Sequence, residues 1–179
     1  MMTSKNKHSD SAFYKTGGAQ RALDMADRRI LSALRQNGRL TIAELAEEVG
    51  LSTSPCWSRL KRLEASGAIE NYVAVINAKS IGVTEVFFIE ITLDHHDDRI
   101  LEQFGQALSD MPEVLEAHLV TGDYDYLVKI AVTDAAHYER FLRQTLYRTS
   151  GIRHTRSTFT LRTLKREISV DPLLIPQRS

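Results

Sequence analysis

Residues 41–64 read TIAELAEEVGLSTSPCWSRLKRLE, and this run decides the fold of the first half of the chain. Thr41 is suited to cap a helix, with Glu44 three residues on to complete a capping box. Ile42, Leu45, Ala46 and Val49 then repeat at helical spacing, and Gly50 ends the turn because glycine alone enters the left-handed region freely. Ser54-Pro55 announces a second helix, a hydroxyl cap followed by a proline whose missing N–H costs nothing in the first turn. Cys56, Leu60 and Leu63 form its inner stripe and Gly67 closes it. Two short helices joined by a glycine turn, with small Ala46 at the crossing, make a helix-turn-helix.

Outside that stripe, the second of these helices is small or basic. Ser52, Thr53, Ser54, Pro55 and Ser58 lie toward its N-terminal end, with Arg59, Lys61 and Arg62 behind them. Hydroxyls at a helix N-terminus suit base edges in a major groove, and the cations suit phosphates, so these eight residues are the candidate contacts to double-stranded DNA. The competing reading is a plain three-helix bundle with a solvated basic face. Residues 21–70 hold eight basic and seven acidic residues, so the case rests on segregation, with Glu44, Glu47 and Glu48 on one helix and the cations on the next.

Working outward, Leu23, Asp27, Ile30, Leu31 and Leu34 fall at three- and four-residue steps, a preceding helix that stops at Asn37-Gly38. After Gly67 the period changes. Residues 69–76 (IENYVAVI) read as a strand resembling a wing, and 77–82 as a linker. Residues 84–93 are a second, strongly β-prone strand, 97–110 an amphipathic helix, 114–120 and 126–132 strands around a turn, and 134–148 a helix capped by Asp134. Residues 152–164 read as a last long strand. The order β-α-β-β-α-β is the ferredoxin-like unit, an antiparallel sheet with both helices on one face. The fold class is α+β. Its expected parts are a flexible tail over 1–20, a winged helix-turn-helix domain over 21–76, the ferredoxin-like domain over 83–170, and an extended tail over 171–179.

Composition narrows the function. The 179 residues hold 23 Lys and Arg against 23 Asp and Glu, so global charge does not favour nucleic acid. The single cysteine, Cys56, excludes an internal disulfide and reads as core, with a redox switch as the minor alternative. No apolar run is long enough for a membrane span and the start carries no secretory signal, so a cytoplasmic location is expected. Asp94-His95-His96-Asp97-Asp98 is better explained as a strand-to-helix turn capped by Asp97 than as a metal site. No metal, cofactor or catalytic residue is expected: His118, His137 and His154 lack partner spacing for acid–base work, and there is no phosphate-binding loop or nucleophile motif.

The turn at 121–126 (TGDYDY) holds more than a hairpin needs. Gly122 and one aspartate serve the turn. Two tyrosines and a second aspartate add groups that, with turn amides, suit the carboxylate and ammonium of an α-amino acid.

The run LSTSPCWSRLKRLE at 51–64, preceded by DRRIL at 27–31 and followed by HLVTGDYDYL at 118–127, resembles the Lrp/AsnC family of feast/famine regulators. The resemblance spans residues 21–168 without an obvious insertion. It implies a winged domain that binds DNA near amino-acid metabolism genes. It also implies a ferredoxin-like domain, of the type called RAM in that family, that pairs through its sheet into homodimers and on to tetramers or octamers. An amino-acid effector site between dimers is implied as well, at positions matching Leu119, Gly122, Asp123, Tyr124, Asp125 and Tyr126, with Thr158 from the last strand. Trp57 departs from a position usually smaller and aliphatic, and residues 156–161 are more polar than in many members. Two alternatives remain open: an enzyme resembling the sirohaem decarboxylases, with one histidine catalytic, and an assembly protein whose winged domain is vestigial.

Overall fold

The computed structural model describes residues 22–176, and the chain divides into two units. The expectation for residues 1–20 lies outside the described residues. Residues up to Ala74, joined by the segment from Glu167 onward, form the first unit, and Val75–Arg166 form the second.

Three helices build the first unit: α1 (Met25–Gln36), α2 (Ile42–Val49) and α3 (Thr53–Ala65). Asp24 and Asp27 form a capping box at the start of α1, and Thr41 and Glu44 form another at α2. Gly50 sits at φ 70°, ψ 38°, and its N–H reaches back to the Ala46 and Glu47 carbonyls, so the sharp turn into α3 requires it. Ile30, Leu45, Val49, Cys56 and Leu63 are buried in one cluster. Burial pushes the Cys56 thiol pKa up, away from the thiolate that redox chemistry would use.

Three expectations for this unit need correction. Helix α3 starts earlier, with Ser52 as its cap residue, so Pro55 is the third helical residue rather than the first. The helix tolerates this because its first intrahelical N–H bond is made by Cys56, to the Ser52 carbonyl at 3.1 Å. Residues 70–76 are not a paired strand, although Val73, Val75 and Ile76 are β-prone and more than half exposed. A strand needs a neighbour for its N–H and C=O groups, and no ladder pairs with this segment among the described residues. Finally, the segment after Asp171 is not extended. Pro172–Leu174 form a 3₁₀ turn, capped by Asp171 accepting the Leu173 N–H at 3.0 Å, and this turn packs on α1. Arg28 of α1 donates to the carbonyls of Pro172 (2.9 Å) and Ile175. Arg35 binds Glu167 and lies 3.7 Å from Asp171, whose pKa is lowered by the Leu173 N–H and then by the buried Ser32 hydroxyl.

The second unit is the ferredoxin-like fold. It runs β1 (Glu85–Leu93), α4 (Asp98–Ser109), β2 (Val114–Leu119), β3 (Tyr126–Val132), α5 (Ala135–Gln144) and β4 (Ile152–Phe159). The sheet order is β2-β3-β1-β4, antiparallel at every pairing. Alternation places Ile89, Ile91 and Leu93 of β1 beside Tyr126, Val128 and Ile130 of β3 in one core with Phe104, Leu108 and Phe141 of the two helices. Phe87 stacks on Tyr138, ring centroids 3.9 Å apart.

Two ends fall short of the sequence reading. Helix α5 stops at Gln144, Thr145 lies off helical values at φ −118°, ψ −68°, and a separate 3₁₀ turn covers Leu146–Arg148. Strand β4 ends at Phe159 instead of Leu164, because its partner β1 begins only at Glu85 and the last bond is Thr160 N–H to the Val86 carbonyl, 2.9 Å.

Candidate DNA-binding and effector sites

Helix α3 shows two different faces. Ser54, Trp57, Ser58 and Lys61 recur at steps of three and four and are all exposed, so they form its solvent stripe, with Ser52, Thr53 and Pro55 exposed at its start. Lys61 reaches Glu64 at 2.9 Å on that side. Trp57 is 55% exposed, an unusual place for the chain's only tryptophan.

Arg59 and Arg62, selected from sequence as phosphate contacts, turn instead toward α1. Arg59 donates to Asp24 at 2.6 Å and to Asp27 at 2.8 Å, and Arg62 reaches the same Asp27 oxygen at 2.5 Å. The Asp27 side chain is 3% exposed, so it is a buried carboxylate satisfied by two guanidiniums and its capping bond. Its place in the α1 periodicity, otherwise held by apolar residues, is explained by this pairing. The two carboxylates raise the Arg59 pKa further, and the Asp27 N–H and then Arg59 lower that of Asp24. Two cations of the unit not chosen from sequence, Arg29 and Arg39, are exposed and have no carboxylate partner among the described residues.

In the second unit, the 121–126 turn separates into free and engaged groups. Gly122 adopts φ 134°, which an L side chain would strain, and Thr121, Gly122 and Asp123 are exposed. Asp125 is engaged: its carboxylate accepts the Leu93 N–H at 2.7 Å and pairs with His96 at 3.0 Å, pinning the turn to the end of β1. Tyr126 is 3% exposed, packs on Phe104, and donates its hydroxyl to the Leu101 carbonyl of α4. Burial pushes its pKa up. It is a core residue, with its side chain engaged inside this unit. A Cβ added at Gly105 of α4 would lie 3.4 Å from that hydroxyl, in van der Waals contact with it. Leu119 and Thr158 are both exposed, but they lie on β2 and β4, opposite edge strands with β3 and β1 between them.

Three of the described histidines, His96, His118 and His137, lie beside carboxylates. His137 lies 3.3 Å from Glu113 and His118 3.8 Å from Glu116. Among the described residues no group of three or more His, Cys, Asp or Glu is placed to hold a metal, and no helix is long and apolar enough to cross a membrane.

Comparison with known proteins agrees with this geometry. A winged helix-turn-helix DNA-binding model matches residues 23–70, and the Lrp/AsnC ligand binding domain model matches 86–170. Leucine-responsive regulatory protein of Escherichia coli is 40% identical over 143 residues, covering 80% of this chain and 87% of that protein. The chain belongs to the Lrp/AsnC family. Among solved structures, a transcriptional regulator of Neisseria meningitidis in complex with L-Met superposes with a TM-score of 0.79 at 36% identity, covering 83% of this chain and 96% of that one. An AsnC-family regulator of Agrobacterium tumefaciens gives 0.79 at 33% identity, with 82% and 95% covered. This Lrp/AsnC protein is thus a transcriptional regulator with a helix-turn-helix DNA-binding domain and an amino-acid-binding domain.

Proposed function

We propose that this regulator binds specific DNA sites near amino-acid metabolism genes, and that an amino acid held between copies of the chain changes its DNA affinity or its assembly. It acts in the cytoplasm, without a cofactor and without catalysing a reaction. The observation that carries the reading is the separation of Leu119 and the 121–124 turn from Thr158 across four strands. A site using both ends needs two copies, which ties ligand binding to assembly.

In this reading the free turn amides and Gly122 receive the α-carboxylate, and Asp123 receives the ammonium, because Asp125 is already held by Leu93 and His96. Leucine and methionine, named in the relatives, are the first effectors to test. Dimerisation is supported by the sheet face turned away from the helices, where Phe88, Leu127 and Ala131 lie beside the Lys129–Glu116 pair. The exposed, unpaired 70–76 segment also favours a second copy as its partner.

On DNA, Ser54, Trp57, Ser58 and Lys61 enter the major groove, where Trp57 offers an apolar surface to thymine methyls. Arg29 and Arg39 hold phosphates, while Arg59 and Arg62 position α3. A dimer then reads half-sites about 10.5 base pairs, or a multiple, apart.

The test is fluorescence anisotropy with labelled DNA from upstream of the protein's own gene, a scrambled control and a panel of amino acids. Selective binding that changes with one amino acid, and loses that response in Asp123→Asn, is the expected result. Equal binding to both duplexes with no amino-acid effect would overturn the reading.

A further inference from the structure

Charge in the second unit is divided along the chain. Residues 140–166 carry eight Lys and Arg and no Asp or Glu, whereas residues 75–139 carry three Lys and Arg against thirteen Asp and Glu. Of the eight, Arg140 and Arg143 lie on α5, Arg148 on the 3₁₀ turn after it, and Arg153 and Arg156 on the edge strand β4. Arg140, Arg143 and Arg148 line one shallow groove with Glu139 and Gln144, and all three arginines are exposed.

These cations have little internal work. Arg143 pairs with Glu139 at 3.1 Å, both well exposed, and Arg140 acts only through space on Asp134. Arg148 and Arg153 have no carboxylate partner among the described residues, and Arg156 is 4.0 Å from Glu90. Two arginines three residues apart on one helix face repel each other, so packing gives no reason for the pattern. Exposed guanidiniums in a row, only one of them in a solvated surface pair, fit phosphates, each able to make a bidentate bond. The DNA-binding unit, in contrast, has Arg28, Arg35, Arg59 and Arg62 bound internally.

We infer that the groove of Arg140, Arg143 and Arg148 is a second DNA-contacting surface, which holds the phosphate backbone without reading sequence. It rests on the proposed DNA-binding function but adds a contact outside the helix-turn-helix.

The experiment compares the full chain with the triple variant Arg140→Gln, Arg143→Gln, Arg148→Gln and with the triple Lys variant. A labelled mixed-sequence duplex and the protein's own upstream DNA are titrated across a salt series, with sedimentation velocity in the same buffers. The Gln triple is expected to weaken both duplexes by the same factor. Its plot of log affinity against log salt should be shallower by roughly 2.7, about 0.9 for each of three phosphates. The Lys triple should restore most of both. An unchanged slope overturns the inference while leaving the proposed function standing. Loss of binding accompanied by a smaller assembly overturns it as well, because the surface then pairs with the acidic part of another copy. Failure of the unsubstituted chain to bind either duplex removes both readings.

Discussion

The two units of this regulator use most of their arginines in opposite ways, Arg29 and Arg39 of the first being exposed like those of the second. In the first, Arg28 and Arg35 hold the C-terminal segment on α1, and Arg59 and Arg62 close on Asp24 and the buried Asp27. In the second, the arginines of α5 and the turn after it lie exposed, with one surface carboxylate, Glu139, in direct contact. An ion pair with a buried carboxylate fixes a side chain, whereas a solvated guanidinium is free to exchange its water and counterions for a phosphate. A basic residue near a recognition helix is therefore not by itself a DNA contact, and its neighbours decide the matter.

The strongest way to break this comparison is Asp27→Ala. It leaves two guanidiniums without their shared partner, and the first unit should lose roughly 3 kcal/mol, the low end for a buried pair because both arginines can still reach water. Trp57, the only tryptophan, lies in this unit and reports its unfolding by fluorescence. Unchanged melting with tighter DNA binding would instead make Arg59 and Arg62 phosphate clamps.

Ending the chain after Arg166 tests the other pair. It removes the bonds from Arg28 and Arg35 and uncovers Ser32, and should cost the same unit roughly 2 kcal/mol after the ordering cost of the segment is offset. A melting point equal to that of the full chain would show that these arginines are as free as those on α5.

The smallest effect sharpens the comparison through pH. The Asp24 pKa is depressed by the Asp27 N–H and then by Arg59, so its stabilisation is complete above the unfolded carboxylate value of about 3.9 and is lost as pH falls through the lower folded value. Asp24→Asn keeps a good cap but removes the charge. It should lower stability at neutral pH by about 0.5 kcal/mol, since the side chain is half exposed, and flatten the acid limb of the melting curve. An acid limb identical to the parent's would show that the Arg59 pair adds nothing.

Much of the architecture was legible because it rests on short-range rules. The capping box at Thr41, the left-handed Gly50, the Asp97 and Asp134 caps and the βαββαβ order all follow from residues within a few positions of one another. The two misread strands share one cause. Residues 70–76 and 160–164 have strand composition, but a strand exists only where a neighbour supplies the other half of its ladder.

By itself, the sequence determined two domains, their order, the helix-turn-helix and the turn bearing Gly122 and Asp123, since each depends on local periodicity, caps and backbone freedom. Only the tertiary structure decided which polar side chains remain free. Tyr126 went to the Leu101 carbonyl, Asp125 to Leu93 and His96, and Arg59 to an aspartate 32 residues earlier. The reason is physical: a buried polar group must find a partner, and that partner comes from whatever element folds against it, at a distance along the chain that no local pattern encodes.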